Sequence, residues 1–259
     1  MHDKYVFQVE GLNFGYPELS IFKDFNTKIE AGKRTVILGQ NGCGKTTLLY
    51  LLSKNLKRGA GQIHLDDTDI DNISQREFAK KVAMVHQKNL IPHDITVEKL
   101  VSYGRTPHKS LVLTKLNDED QAIMDDAMKV TGIYELRERP VTNLSSGQLQ
   151  RVWIAMALAQ HTDILFLDEP TTYLDVKYQL EILNLVERLN KERHITIVMI
   201  LHDINQAIAY GDNIIALKKG SLIYEGDKDG LLDEKMLYEI YDTELKISHY
   251  ENRPFVVTF

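Results

Sequence analysis

The sequence predicts an α/β fold in which helices lie on the faces of a mostly parallel sheet. Two uninterrupted apolar runs, ILFL at 164–167 and ITIVMI at 195–200, are each about one helix apart from the next strand signal. A third run, TVIL, leads to Gly39, and an amphipathic helical pattern follows from Lys45 to Ser53. Strands that are apolar throughout are typical of parallel sheets, because helices cover both faces of such sheets.

Two stretches depart from this pattern. Residues 5–38 alternate short apolar runs with turn signals, which indicates a small, mostly antiparallel N-terminal β-subdomain. From about 91 to 141 the strand signals disappear and helical spacing takes over, which indicates a helical insertion at 91–150. We therefore expect a single domain with an α/β core at 1–90 and 151–230, a helical subdomain at 91–150, and a C-terminal extension at 231–259 with one helix and a short strand.

The composition is that of an ordinary globular protein, with 43% hydrophobic and 26% charged residues over a length of 259. The formal net charge of −6 argues against a nucleic-acid partner, because phosphate backbones are bound by clustered Lys and Arg. The single cysteine, Cys43, cannot form an internal disulfide, which fits a reducing compartment.

We expect neither a targeting signal nor a membrane span. The N-terminus MHDKYVFQVEGLNF has no apolar core and no small-residue cleavage site. The longest apolar run, 195–201, is about a third of the roughly 20 residues that cross a bilayer. If the protein works at a membrane, a separate chain must anchor it.

The segment GQNGCGKTT, residues 39–47, fits the phosphate-binding pattern G-x-x-x-x-G-K-[ST]. Its glycines let backbone N–H groups curl around phosphate oxygens, and the start of the next helix adds partial positive charge. Lys45 is placed to reach the β- and γ-phosphates of a nucleotide, and the Thr46 hydroxyl to ligate Mg²⁺. The strand before it and the helix after it argue against a chance glycine-rich turn.

The segment ILFLDEP, residues 164–170, brings two carboxylates to the end of a buried strand, where α/β sheets bind ligands. Asp168 would hold Mg²⁺ through water, and Glu169 could polarise the attacking water as a general base. Many strands end in acidic turn residues, so this segment indicates a catalytic site only in combination with the phosphate-binding loop.

The segment LSSGQ, residues 144–148, opens a helical pattern; Ser145 or Ser146 is a plausible N-cap, and Gly147 allows close backbone approach. Together the three segments resemble the ABC ATPase family over nearly the whole chain. The resemblance implies a P-loop NTPase core of the RecA-like type that hydrolyses ATP with Mg²⁺. Ser146 departs from the family's usual LSGGQ, and we expect at most a modest loss of activity because backbone donors remain.

The resemblance also assigns single residues. Tyr16 matches the aromatic residue that stacks on adenine, with Phe14 as a second candidate and a buried core tyrosine as the rival interpretation. Gln87 matches the glutamine that contacts Mg²⁺ and the attacking water and senses the membrane partner. Asp175, in TTYLD, matches a residue at the dimer contact, and His202 matches the switch histidine on the γ-phosphate.

These assignments give three sets of residues. The catalytic residues implied by the resemblance are Lys45, Gln87, Glu169 and His202. The implied nucleotide-binding residues are Tyr16, Gly39, Asn41, Gly42, Gly44, Lys45, Thr46, Thr47, Ser145, Gly147, Gln148 and Asp175. The implied Mg²⁺ ligands are Thr46, Gln87 and Asp168.

The segment VSYGRTPHKS, Val101 to Ser110, bears on the substrate. Physically we expect only a loop with a proline turn and two basic groups. Its sequence resembles a V-x-x-G-R-x-P-H stretch that is typical of ATPases serving siderophore, haem and cobalamin importers. The resemblance therefore implies that ATP hydrolysis energises the uptake of an iron–siderophore or a related metal chelate.

The resemblance also implies the partners. In this family two ATPase subunits pack head-to-tail, so that LSSGQ of one faces GQNGCGKTT of the other with ATP between them. We expect such a homodimer on the cytoplasmic, inner face of the cell membrane, docked on permease subunits near Gln87 and the helical insertion. An extracytoplasmic substrate-binding protein would be an indirect partner.

Three alternatives stay open at this point. An ABC exporter ATPase differs from this interpretation only through VSYGRTPH. A DNA-repair or chromosome ATPase would need a long coiled coil in 48–143, where no heptads are visible. A translation-associated ABC protein normally carries two motor domains, and this chain has one set of motifs.

Overall fold

The computed structural model describes residues 4–90, 94–109, 115–251 and 253–258. Two compact units share the chain: the first unit is Met1–Ile73 with Thr196–Phe259, and the second unit is Ser74–Ile195. The predicted helical subdomain, 91–150, lies within the second unit, its residues 91–93 and 110–114 lie outside the described residues, and its limits stay a prediction. Among the described helices, none combines the length and apolarity that a membrane span requires.

The first unit contains most of the strands. They are β1 (Tyr5–Tyr16), β2 (Leu19–Glu30), β3 (Arg34–Gly39), β4 (Ala60–Leu65), β5 (Thr68–Asp69), β8 (Thr196–Ile200), β9 (Asn213–Lys218), β10 (Ser221–Asp227), β11 (Lys246–Tyr250) and β12 (Arg253–Val257). Its helices are α1 (Lys45–Leu52), α7 (Ile204–Tyr210), α8 (Glu234–Tyr241) and a 3-10 helix (Ile70–Asn72).

The predicted N-terminal antiparallel sheet is confirmed, with the strand order β2-β1-β4-β5. A tight connection joins the first two strands, because Tyr16 pairs with Leu19. The end of β2 alternates as a half-buried strand should, with Phe25 and Ile29 buried and Lys28 exposed.

The parallel strands of the first unit centre on β3, which pairs in parallel with both β8 and β9. Strand β10 then adds to β9 in antiparallel orientation. All residues of β3 and β8 are buried, as their uninterrupted apolar runs predict. Because parallel strands end at the same edge of a sheet, the segments that follow β3 and β8 emerge side by side.

The C-terminal extension differs in part from its prediction. Helix α8 is present and buries Leu237 and Ile240. The expectation of a single short strand is wrong, because β11 and β12 form an antiparallel hairpin. Both strands are short, β11 is mostly exposed, and Pro254 interrupts β12, so neither shows the periodic apolar pattern that identifies a strand.

The second unit is mainly helical. Its elements are α2 (Gln75–Phe78), β6 (Val82–Val85), α3 (Val97–Ser102), α4 (Asp118–Val130), α5 (Ser146–Ala159), β7 (Ile164–Leu167), α6 (Val176–Arg193) and three 3-10 helices (Tyr103–His108, Tyr134–Leu136 and Val141–Asn143). Strands β6 and β7 pair in parallel. Parallel strands with packed helices therefore occur in both units, and the predicted α/β class is confirmed.

The segment 101–108 is helical, so the prediction of a loop there is wrong. Helix α3 ends at Ser102 and the 3-10 helix Tyr103–His108 follows at once; Ser110 lies outside the described residues. Gly104 permits close packing on α5, since a Cβ there would lie 2.2 Å from the carbonyl oxygen of Met156. Pro107 is tolerated because it sits in a short 3-10 helix and not inside an α-helix.

Candidate functional site

The phosphate-binding loop, residues 39–47, joins β3 to α1 in the first unit. Gly39 has a φ of 138°, and a Cβ there would lie 2.2 Å from the carbonyl oxygen of Leu217. Both the backbone angle and the contact exclude any other residue. Gly44 has a φ of 111° at the N-cap of α1 and provides no capping side chain, which favours an anion at this helix start.

Lys45 lies folded over this loop. Its side chain is buried, and its Nζ donates to the carbonyl oxygens of Gly39 at 2.9 Å and Gln40 at 3.0 Å. These acceptors are neutral, so a phosphate anion would be a stronger partner for the ammonium. Among the other residues predicted in this loop, Asn41 and Gly42 are exposed. Thr46 and Thr47 are partly buried.

His202 emerges at the same edge as this loop. Strands β3 and β8 are parallel neighbours, with Ile37 paired to Ile200, and His202 is the exposed second residue after β8. Asp203 then caps α7 by accepting from the N–H groups of Asn205 and Gln206. The structure therefore brings the histidine and the phosphate-binding loop to one edge of the first unit.

Tyr16 ends β1 and is 46% exposed, with an edge-to-face contact to Phe14 at 5.2 Å between ring centroids. This exposure excludes the rival interpretation, in which Tyr16 is a buried core residue. An exposed ring held by a second aromatic is suited to stack on a flat ligand.

In the second unit the ends of β6 and β7 carry the next group of predicted residues. Val85 pairs with Leu167, so Gln87 and Asp168 follow neighbouring parallel strands. Asp168 is 2% exposed, and its N–H donates to the carbonyl oxygen of Val85 at 2.9 Å. Its carboxylate thus lies at the edge where parallel strands bind ligands.

Glu169 is held from two sides. The side-chain amide of Gln87 donates to its Oε2, and the Thr172 hydroxyl donates to the same oxygen at 3.0 Å. Its backbone φ of 52° lies in the left-handed region, which is costly for a residue with a Cβ and occurs often at functional sites. The structure therefore brings Gln87 and Glu169 together. Sequence reasoning missed Thr172, although its place three residues after Glu169 could have indicated it.

The LSSGQ segment forms a capped helix start. Ser145 is the N-cap of α5; its Oγ accepts from the Gln148 N–H at 3.3 Å, and the Gln148 Oε1 accepts from the Ser145 N–H at 3.0 Å. A Cβ on Gly147 would lie 2.8 Å from the Tyr178 ring, so packing alone requires glycine there. The nucleotide-binding role of these residues stays a prediction.

Asp175 begins α6 as its N-cap, but its side chain makes no capping hydrogen bond. Close to it in sequence are two strongly exposed apolar residues, Tyr173 at 77% and Val176 at 72%. Leu180, one turn further along α6, is also exposed. This stretch therefore exposes three large apolar side chains, with the carboxylate of Asp175 between the first two in sequence.

The segment 101–108 is built into the packing of the second unit. Arg105 is buried, and its guanidinium donates to Asp120 Oδ1 at 2.9 Å and to the Ala159 carbonyl oxygen at 2.8 Å. His108 Nε2 lies 2.7 Å from the carbonyl oxygen of Gln160. Only Tyr103 presents a large exposed ring in this segment.

Each of the two units, taken by itself, contains groups that suit phosphoryl transfer to water. One unit has a glycine loop with a buried ammonium, and the other has a buried carboxylate beside a glutamate that amide and hydroxyl donors hold. Positioning and charge stabilisation of this kind are what such a reaction requires of a protein.

Known proteins are similar to this chain in sequence. The family model described as ABC transporter matches residues 22–172. The iron(3+)-hydroxamate import ATP-binding protein FhuC of Bacillus subtilis (strain 168) is 45% identical over 252 residues, which cover 96% of this chain and 93% of that protein. The petrobactin import ATP-binding protein FpuC of Bacillus anthracis is 42% identical over 242 residues, which cover 93% and 89%.

Solved structures agree with the sequence comparisons. One, described as a metal-chelate type ABC transporter in an inward-facing conformation, has a TM-score of 0.85 and is 27% identical in sequence. The similarity covers 98% of this chain and 96% of the solved one. The chain belongs to the ABC transporter family and is an ATP-binding, ATP-hydrolysing subunit of that family.

Proposed function

We propose that this chain energises the import of an iron–siderophore, or a related metal chelate, through a separate membrane permease. The observation that carries the proposal is its similarity over nearly the full length to the import proteins for iron(3+)-hydroxamate and petrobactin. The segment 101–108 adds little to this argument, because its glycine, arginine and histidine make contacts within the second unit.

The reaction that we propose is attack of water on the γ-phosphate of ATP. Lys45 exchanges its two carbonyl partners for β- and γ-phosphate oxygens, and His202 contacts the γ-phosphate. Glu169 takes the proton of the attacking water as general base, and Gln87 orients Glu169 and this water. Support comes from the donors on Glu169, which hold one carboxylate oxygen and fix the direction of the other.

The donor set also fits Mg²⁺, which prefers hard oxygen ligands. Thr46 offers a hydroxyl, Gln87 an amide oxygen, and Asp168 a buried carboxylate. Bound there, Mg²⁺ would neutralise charge that develops on the phosphate oxygens. The remaining predicted nucleotide contacts, from Tyr16 and from the loop at Gly39 to Thr47, belong to the same proposal.

Two copies of the chain would act together, with LSSGQ of one facing the phosphate-binding loop of the other. The exposed apolar side chains of Tyr173, Val176 and Leu180 support such a contact, as does Asp175, whose side chain makes no capping hydrogen bond. The permease would dock on the predicted helical subdomain, 91–150, near Gln87. This places the chain on the cytoplasmic face of the cell membrane, with an extracytoplasmic binding protein as an indirect partner.

A deletion strain tests the substrate class. Its uptake of radiolabelled ferric hydroxamate, ferric petrobactin, haem and cobalamin is compared with that of the same strain carrying the wild-type gene. We expect the loss of uptake of one iron chelate, restored by the wild-type gene and not by the Lys45→Ala variant. Normal uptake of all four compounds together with a defect in drug or lipid export would contradict import and leave the ATPase assignment intact.

A further inference from the structure

The C-terminal tail, residues 231–251 and 253–258 in the first unit, contacts the phosphate-binding loop. At the end of α8, the Asp242 carboxylate accepts from Gln40 Nε2 at 3.4 Å and from Lys218 Nζ at 2.6 Å. The same lysine donates to the carbonyl oxygen of Glu239 at 2.6 Å. The Lys218 ammonium lowers the pKa of Asp242, so its carboxylate is ionised at neutral pH.

Tyr241 is the last residue of α8 and directly precedes Asp242. Its hydroxyl oxygen is enclosed and has no hydrogen-bond partner among the described residues. Burial raises the pKa of this phenol, and so do Cys43 of the loop and Asp203 at the start of α7. Tyr241 also lines a cavity together with His202 and Asp203.

The hairpin of the tail holds the segment after His202. Asn205, on α7, donates through Nδ2 to the Val256 carbonyl oxygen at 2.9 Å and accepts from the Val256 N–H at 2.7 Å. This two-way pairing with the backbone of β12 fixes both the position and the rotation of the amide. His202 and Asp203 line a cavity of about 390 Å³ together with four residues of the tail. These four residues are Tyr241, Thr243, Leu245 and Thr258.

We propose that the C-terminal tail is a positioning element of the ATP site: Asp242 holds the phosphate-binding loop through Gln40, and the hairpin holds His202 through Asn205. The tail thereby fixes two nucleotide-contacting segments relative to each other within the first unit. The inference rests on the proposed roles of Lys45 and His202, and it assigns Asp242 and Asn205 as positioning residues for binding and for turnover.

Separate readouts test the two contacts in the full-length protein. ATP affinity is measured with a fluorescent ATP analogue, and kcat and KM are measured from phosphate release. Asp242→Ala is expected to weaken ATP binding by about three- to tenfold with a smaller change in kcat, since one side-chain anchor of the loop is lost. Asn205→Ala is expected to lower kcat by a similar factor and to leave ATP affinity near that of the wild type.

Two further variants make the test specific. Asp242→Asn keeps an oxygen acceptor for Gln40 and is expected to recover part of the lost affinity. Glu244→Ala removes a nearby acid of the tail that makes no hydrogen bond to the loop within the part of the chain that the structure describes, and we expect it to match the wild type.

Four outcomes decide the matter. The split between affinity and kcat supports the proposal. The proposal would be overturned if each variant changed ATP affinity and kcat equally, in proportion to its loss of thermal stability. It would also be overturned if Asp242→Ala and Asn205→Ala gave the same values as Glu244→Ala. If Lys45→Ala, measured in parallel, binds and hydrolyses ATP normally, the proposed function itself has failed, independently of the tail.

Discussion

The phosphate-binding loop and the segment 101–108 both combine glycine with a buried cation, yet they use them differently. Gly39 supplies a left-handed backbone angle, whereas Gly104 supplies room for a helix backbone. Lys45 contacts neutral carbonyl oxygens, whereas Arg105 is paired with the carboxylate of Asp120. A buried cation with only neutral partners can transfer to a ligand, and one in a buried ion pair remains part of the packing.

The largest expected effect concerns the acidic strand end of the second unit. Glu169→Gln should keep ATP binding and lower hydrolysis by about 10²- to 10⁴-fold, because an amide cannot accept the proton of the attacking water. The variant should accumulate as an ATP-bound dimer, which size-exclusion chromatography with ATP and Mg²⁺ detects. Hydrolysis at the wild-type rate would remove Glu169 from the role of base.

The next effect is on stability. Arg105→Ala should lower the free energy of unfolding by about 3 kcal/mol, because it leaves the buried Asp120 carboxylate short of a cation. Urea denaturation followed by circular dichroism measures the change. Turnover per folded molecule should stay near the wild-type value, and an unchanged stability with lost turnover would place Arg105 in the functional site instead.

The pH dependence of stability provides a finer test of the same ion pair. Burial tends to raise the pKa of Asp120, but hydrogen bonds from the Asn117 N–H, Lys109 and Arg105 lower it to about 2. The folded pKa lies below the unfolded one, so the ionised group stabilises the fold above the unfolded pKa. This contribution disappears as pH falls through the folded value.

Asp120→Asn should therefore cost on the order of 2 kcal/mol near neutral pH. The difference between the two proteins should narrow as the pH falls from about 4 towards 2, as measured by urea denaturation across that range. A difference that does not depend on pH would show that the carboxylate acts through shape and not through charge.

The smallest expected effect concerns Cys43, the loop thiol between Gly42 and Gly44. The side chain is buried, and burial raises the pKa of its thiol against the opposing effect of Lys45. The protonated thiol should react slowly with iodoacetamide near neutral pH, and Cys43→Ala should keep the ATPase rate within about twofold. Rapid inactivation that Cys43→Ala prevents would show that the loop opens further than this packing allows.

The features that could be predicted from the sequence are those whose signals lie close together in the chain. Apolar runs and a capping pattern predicted β3, β8 and the start of α5 within a few residues, because their signals are local. The phosphate-binding loop was predictable because its glycines and lysine encode backbone geometry directly.

The features that escaped prediction depend on distant partners. The helical state of 101–108 depends on Asp120 and on the carbonyl oxygen of Ala159, neither of which is near in sequence. The hairpin of the tail shows no apolar period, and its contact through Asn205 joins residues 51 positions apart. Thr172 is the exception, because its partner Glu169 is only three residues away and the spacing could have indicated the hydrogen bond.

The role of the phosphate-binding loop as the ATP site is tested most directly by comparing the ATPase rates of Lys45→Ala and the wild type. Urea denaturation of both proteins is measured in parallel. We expect the rate to fall by at least about 10²-fold, because the phosphates lose the ammonium that now lies on two carbonyl oxygens. Stability should change by no more than about 1 kcal/mol, since only neutral hydrogen-bond partners are lost. Wild-type turnover in the folded variant would contradict the central claim that this loop is the ATP site.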